Sequence, residues 1–246
     1  MRYLLGVRFI KSEAVFSEVF GYDSVDSTNL ELARQKDPKH FSAAISLSQT
    51  LGQGRLGRSW SSPAGASLAL SIFLKPNSLA KPGWASLLAA LAVKRAVADL
   101  GISDAGIKWP NDVLVGGKKL CGILAQLQQD GAVIVGIGVN LTVGASDLDT
   151  ATSMEALGVT SDADSVAAAI GLHLQKLIGA FLDNETAVRV QFSSSCITLG
   201  KTVLAELPGG SELTGLASEI DAQGQLVILT PETHRLAAAD VWHLRG

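Results

Sequence analysis

Apolar positions along the chain change their period several times, and each change marks a predicted element. Phe41 to Gln49, FSAAISLSQ, alternates apolar and polar residues and predicts a strand; Ala66 to Leu74, ASLALSIFL, does so in part, with Pro63 and Gly65 punctuating the gap. Trp84, Leu87, Leu88, Leu91 and Ala92 fall at helical spacing and Gly101 follows as a C-cap, which predicts a core helix over 84–100. Ile107 to Val115 reads as a strand interrupted at Pro110, where the missing N–H predicts a bulge or kink. Gly116-Gly117 and Asp130-Gly131 are two-residue hairpin signals, so the runs 107–115, 119–128 and 132–141 predict an antiparallel meander.

The flanks read differently. Residues 1–20 mix apolar and polar positions loosely and predict a strand or extended arm. Asp26, Ser27 and Thr28 are good N-caps ahead of Leu30, Leu32 and Ala33, so a helix starts there. The polar run 142–164 predicts a long connection, followed by a helix over 165–182 with Val166, Ile170, Leu174, Leu177, Ile178 and Phe181 on one face, and a short helix over 185–195. After Thr198 come four or five short strands, separated by Pro208-Gly209-Gly210 and Ala222-Gln223-Gly224, which predict a small β-barrel.

Composition narrows the class. The 246 residues are 47% hydrophobic and 17% charged, enough for a sizeable core, with a net charge of −3 and no Lys/Arg run. A broad nucleic-acid surface is disfavoured, because such binding needs a basic patch. Two cysteines without a CxxC and four histidines exclude a disulfide framework or a structural zinc site. The N-terminus lacks a signal-peptide core, and no uninterrupted apolar stretch of about 20 residues is expected to span a bilayer, so the expectation is a cytoplasmic protein with no membrane partner.

Candidate chemistry concentrates in three stretches: LGQGRLGRSW (51–60), KWPND (108–112) and KKLCGIL (118–124). Gly52, Gly54 and Gly57 let the backbone approach a ligand closely, while Arg55 and Arg58 supply guanidinium forks for carboxylate or phosphate. Lys108 and Lys119 flank the proline-bent hairpin. Asn140 closes the strand GIGVN, where Gly136 and Gly138 leave the sheet face bare for a flat ligand. Two arginines and a lysine suit a reaction that brings a carboxylate to a nucleotide phosphate, since two anions meet only where positive charge is preorganised. Cys121 lies inside a strand and reads as a small apolar filler, and Trp109 as a core anchor.

These stretches, with DSTN at 26–29, resemble in order and spacing the biotin protein ligases (biotin–[acetyl-CoA-carboxylase] ligases), over roughly residues 24–245. The resemblance implies an α+β fold: a mixed, largely antiparallel sheet packed with helices, of the class II synthetase-like biotin–lipoate ligase type. It implies a catalytic domain over 1–197 and a C-terminal SH3-like β-barrel over 198–246. It implies ATP with Mg²⁺, biotinyl-5′-AMP as intermediate, and a biotin carboxyl carrier domain as acceptor. Lys119, Arg55 and Arg58 then match the catalytic positions; Ser27, Thr28, Asn29, Gln49, Gly52, Arg55, Lys119 and Gly122 the biotin-binding positions; and Arg55, Arg58, Trp60, Asp112, Lys119 and Asn140 the nucleotide-binding positions, with Mg²⁺ on the Asn140 side. Asp112 either orients cations or takes part in the use of ATP. The resemblance admits a homodimer paired through sheet edges. A lipoate or octanoyl transferase of the same fold is the alternative, one branch of which needs a cysteine, for which Cys121 is the candidate near the site. A non-catalytic binding protein would not need Arg55, Arg58, Lys119 and Asn140 together.

Two departures stand out. No N-terminal DNA-binding domain is expected, so no DNA partner is carried over. Gln53 occupies the place of the first arginine in the GRGRxGR loop typical of the family, and loss of that charge predicts weaker retention of the adenylate. Release of biotinyl-AMP measured for the wild type against Gln53→Arg is expected to be faster in the wild type; equal release rates would contradict this.

Overall fold

Burial of the sheet on both faces sets the architecture. The computed structural model describes residues 8–60, 63–79, 81–142, 149–207 and 210–244; the start of the expected N-terminal arm, part of the 142–164 connection and Pro208-Gly209 lie outside them. Strands β1 (Glu18–Tyr22), β2 (Ser42–Ser46), β3 (Ser67–Leu74), β4 (Gly106–Lys108), β5 (Asp112–Val115), β6 (Lys118–Leu127) and β7 (Val133–Asn140) form one sheet in the order β1-β2-β3-β7-β6-β5-β4. Only β1 and β2 pair in parallel; the other neighbours are antiparallel, and β4 to β7 make the expected meander. The break between β4 and β5 falls at Trp109–Pro110, a cis peptide, and Gly116 and Gly117 turn the next hairpin at φ 57° and 79°.

Helix α3 (Ala85–Asp99) covers one face, backed by α4 (Ala163–Asp183) and α5 (Glu185–Ser195). Leu68, Leu70, Ile72 and Leu74 of β3 join Val135, Ile137 and Val139 of β7 in that core. The opposite face carries α2 (Thr28–Arg34), where Leu32 packs on Ala44, Phe73 and Ile134. Alternation in β2 and β3 therefore does not mean one wet face: every residue of both strands is buried, and Ser42, Ser46, Ser67 and Ser71 are small polar groups under α2 and the loops. The strand expected near the N-terminus starts only at Glu18. Before it, α1 (Ile10–Glu13) forms a single turn because Asp164, at the start of α4, accepts the Lys11 and Ser12 backbone N–H groups, each at 2.8 Å.

Helix α4 corrects one expectation. It is 21 residues long and, by length and composition alone, could cross a bilayer. Its apolar face, from Val166 through Leu174 to Phe181, is instead buried within the core.

The C-terminal strands β8 (Thr202–Glu206), β9 (Glu212–Ile220), β10 (Leu226–Leu229), β11 (Thr233–Leu236) and β12 (Asp240–His243) form a second, wholly antiparallel sheet, β11-β10-β9-β8-β12. It does not stand apart: Val203, Ala217, Leu226 and Val241 belong to the same apolar cluster as α3. Two tryptophans pin it. The indole N–H groups of Trp84 and Trp109 donate to the carbonyls of Ala222 and Gly224, each at 3.1 Å. Those carbonyls sit in a β9–β10 turn held by Asp221 Oδ1, which accepts the N–H groups of Gln223 and Gln225 at 2.8 and 2.9 Å. Trp84 also packs on Phe181 and Phe192, with ring centroids 5.1 and 5.7 Å away. Trp84→Phe keeps an aromatic ring there but leaves the Ala222 carbonyl without its donor. The expected loss is about 1–3 kcal/mol of unfolding free energy, read as a lower urea midpoint at unchanged slope; an unchanged midpoint would show that this staple carries nothing.

Candidate functional site

The site lies on the α2 face of the large sheet, in a cavity of about 200 Å³ that opens beneath the glycine loop and is bordered by β12. Its floor is made of missing side chains. Gly122 of β6 and Gly138 of β7 are cross-strand partners, and Leu124 pairs with Gly136. A Cβ on Gly138 would meet the Trp60 indole at 2.6 Å, and one on Gly122 would meet it at 2.9 Å. A Cβ on Gly136 would collide with the Asn29 side chain. The bare sheet face is therefore partly occupied from within: Trp60 lies across Gly122 and Gly138, and Asn29 reaches over Gly136.

The deep end is a neutral hydrogen-bonded network. Gln49 Oε1 accepts the Thr28 backbone N–H at 2.8 Å and lies 3.1 Å from Thr28 Oγ1, which makes it the cap of α2; Ser27, in the N-cap position, makes no side-chain cap bond. This orients Gln49, whose Nε2 makes no hydrogen bond among the described residues, although the side chain lines the cavity. Ser71 Oγ lies 2.7 Å from Thr28 Oγ1 and 2.5 Å from Asn29 Oδ1. Its single proton belongs to Asn29 Oδ1, which carries none, and Thr28 then supplies its own proton to Ser71 or Gln49. Asn29 Nδ2 donates to Gln126 Oε1 at 2.8 Å. Ser71 and Gln126 were not legible as site residues; the only signal was a serine at an otherwise apolar strand position.

The cationic end is assembled from three elements. Strict alternation along β6 would send Lys119 to the same face as Cys121, into the core. The register between β5 and β6 shifts: Val113 pairs with Cys121, but Leu114 pairs with Lys119, so Leu120 is an extra residue. The bulge turns Lys119 back to the face of Gly122, where a Cβ on that glycine would lie 2.9 Å from Lys119 Cε. Lys119 is then fixed twice. Its backbone N–H donates to Thr150 O, and its carbonyl accepts from Thr152 N–H, both at 2.9 Å. Its Nζ lies 2.7 Å from Asp112 Oδ1 and 5.7 Å from the Trp60 ring centroid.

KWPND supplies the neighbours. Asn111 docks on β6 through Ile123, donating to its carbonyl at 3.1 Å and accepting its N–H at 2.9 Å, and offers Oδ1 to Arg55 Nη1 at 3.3 Å. Lys108 lines the cavity; burial holds its ammonium below the usual lysine range, against the opposing pull of Asp112. Burial likewise lowers Arg55, with Asp112 opposing.

The loop itself is a narrow ordered hairpin. Trp60 N–H donates to Gly52 O at 2.8 Å, Gly54 N–H to Arg58 O at 2.6 Å, and Gln53 bridges Ser59. Its 3₁₀ turn, Arg55–Gly57, ends in Gly57 at φ 73°, a left-handed position that favours glycine. Gly52 does not line the cavity; a Cβ there would collide with the Trp60 carbonyl, so its task is closing the hairpin. Arg55 Nη1 donates to Ala239 O at 3.2 Å, and Arg58 Nη2 pairs with Asp240 Oδ2. Those two residues come from the start of β12 and the loop before it and had no signal in the local sequence.

Most of the expected positions thus meet at one cavity: Ser27, Thr28, Asn29, Gln49, Arg55, Arg58, Trp60, Asp112, Lys119 and Gly122 all line it. Asn140 does not. It lies one step beyond on β7, donating from Nδ2 to the carbonyls of Lys119 at 3.3 Å and Thr152 at 2.9 Å and accepting from Ser67 Oγ at 3.3 Å. In this structure it supports the Lys119 backbone. Cys121 is fully buried and absent from the cavity wall, and burial pushes its thiol far up. Among the described residues no three His, Cys, Asp or Glu side chains cluster as a metal site.

Comparison with known proteins gives the same direction. The chain is 36% identical over 230 residues to the biotin–[acetyl-CoA-carboxylase] ligase of Mycobacterium tuberculosis, covering 89% of this chain and 86% of that one. It is 31% identical over 252 residues to the bifunctional ligase/repressor of Bacillus subtilis, covering 96% of this chain and 77% of that one. The solved biotin protein ligase of Aquifex aeolicus in complex with biotin and ATP superposes with a TM-score of 0.82 at 26% identity, over 94% of this chain and all of that one. Residues 21–143, which carry the loop, KWPND, the β6 bulge and the glycine floor, match the biotin/lipoate A/B protein ligase family model, and with these relatives they make the chain a member of that family.

Proposed function

We propose that the protein is a biotin protein ligase. It joins the biotin carboxylate to the α-phosphate of MgATP, giving biotinyl-5′-AMP and pyrophosphate. It then transfers the biotinyl group to a lysine ε-amine on a biotin carboxyl carrier domain, releasing AMP. The observation that carries this reading is that one cavity joins a neutral, hydrogen-bonded end to a cationic end that holds Lys119.

The neutral end suits a urea. A cyclic ureido group offers one carbonyl acceptor and two N–H donors, and Ser27, Thr28, Asn29 and Gln49 supply complementary groups without charge. A dithiolane or a plain alkyl chain would leave Gln49 Nε2, which makes no hydrogen bond among the described residues, without a partner, which costs binding and favours biotin over lipoate or octanoate. A cysteine-based transfer finds no nucleophile at the wall, since Cys121 is buried.

At the cationic end two anions must approach each other. A carboxylate oxygen attacks the α-phosphorus, the bond from that phosphorus to the α,β-bridging oxygen breaks, and pyrophosphate leaves. Lys119, paired with Asp112, neutralises charge on both reactants, and Arg55 adds a second fixed cation. In transfer, the acceptor amine attacks the acyl carbon and AMP departs as an anion against the same cations. Trp60 and the loop hairpin cover the shelf and exclude water, which would hydrolyse the anhydride. The protein side chains do not fit a resident metal: Asp112 and Asp240, the carboxylates at the wall among the described residues, are both engaged by cations. Magnesium accordingly enters as part of the MgATP substrate. A reaction that consumes ATP also accords with the cytoplasmic expectation.

The test incubates the protein with MgATP, a biotin carboxyl carrier domain and either biotin or lipoate, followed by mass spectrometry of the acceptor. A biotinylated lysine with biotin alone is expected; lipoylation only, or no acylation, would overturn the reading. Lys119→Gln is expected to slow adenylate formation about 10²- to 10³-fold while leaving thermal stability close to wild type. A rate within a few-fold of wild type would remove Lys119 from the mechanism.

A further inference from the structure

Asp240 stands at the start of β12, far in sequence from the loop, yet its carboxylate is the one that meets the loop arginines. Arg58 Nη2 pairs with Oδ2, and Arg55 Nη1 lies 3.9 Å from Oδ1. The Asp240 side chain is 14% exposed, so it is largely withdrawn from solvent on the cavity wall. The two arginines are held differently. Arg55 is 17% exposed and also bound to Asn111 Oδ1 and Ala239 O, whereas Arg58 is 62% exposed. Arg55 is locked; Arg58 is free to change partner. Across the cavity, Asp112 stands against Lys119 as Asp240 stands against Arg58.

We propose that Asp240 is an internal stand-in for the anionic ligand: a positioning residue of the C-terminal sheet that holds Arg58 and the loop in place when the site is empty and yields Arg58 to an incoming phosphate. The identification of that phosphate with ATP and the adenylate rests on the biotin ligase reading. A carboxylate and a phosphate compete for one guanidinium fork, so the internal pair keeps the loop ordered at the cost of some anion affinity. The C-terminal sheet thereby acts on the site without touching the reacting atoms.

The full-length protein tests this with Asp240→Asn, which keeps shape and removes charge, and Asp240→Glu, which keeps charge. In ligand-free protein, trypsin cleavage after Arg55 and Arg58 is expected to be several-fold faster in Asp240→Asn and near wild type in Asp240→Glu. Binding of inorganic pyrophosphate, and of ATP in the presence of biotin, is expected to tighten about 3- to 10-fold in Asp240→Asn. That gain should vanish in the Arg58→Ala background. An Asp240→Asn protein with unchanged loop cleavage, with equal or weaker pyrophosphate binding, or with a gain that survives Arg58→Ala overturns the proposal. Loop cleavage and pyrophosphate binding need no biotin, so they decide the question even where acceptor biotinylation fails.

Discussion

A single extra residue in one strand determines what the rest of the site can do. Without the bulge at Leu120, the period of β6 would bury Lys119 beside Cys121 and leave the glycine floor without its cation. With it, the lysine ammonium, the Gly122–Gly138 shelf and the Trp60 ring share one face. The local structure secures that arrangement from behind: Thr150 and Thr152 hold the Lys119 backbone, Asn140 donates to the carbonyls of Lys119 and Thr152, and Asp112 holds the ammonium. A cation placed this way loses little freedom on meeting an anionic ligand, because its order is already built into the fold.

The two sheets act together through a few polar contacts set in an apolar interface. Trp84 and Trp109 fix the β9–β10 turn against the large sheet. The start of β12 and the residue before it then bring Asp240 and Ala239 to the loop. The loop hairpin is thus bounded by its own backbone bonds, by Asn111 of KWPND and by the C-terminal strand. A glycine-rich segment that would be loose in isolation has become an ordered wall of the cavity.

Much of this was legible in the chain. The meander, the core helix 84–100 and the C-terminal strands followed from periodicity and turn chemistry, because Gly116-Gly117, Asp130-Gly131 and Gly101 occupy positions whose backbone needs glycine. The DSTN, glycine-loop, KWPND and KKLCGIL stretches pointed to most of the cavity wall. What was not legible depends on contacts between distant segments. Ser71 looks like any small strand residue until Asn29 reaches across Gly136 to it. Asp240 has no local mark because its partners lie on another sheet's loop. Asn140, expected on the nucleotide side, donates to the Lys119 carbonyl, a contact with no local mark, because alternation gives the face of a strand residue, not its partner. Likewise, the alternation of β2 and β3 marks them as strands, and only the seating of α2 shows that both faces are covered.

In the proposed reaction the biotin carboxylate and the α-phosphate are joined directly between these cations. Isotope transfer measures that join. With biotin labelled by oxygen-18 in both carboxylate oxygens, MgATP and the carrier domain, AMP released in a single turnover should carry one labelled oxygen on its phosphate, left behind when the acyl carbon moves to the lysine. AMP without label, or ADP in place of AMP, would contradict the account.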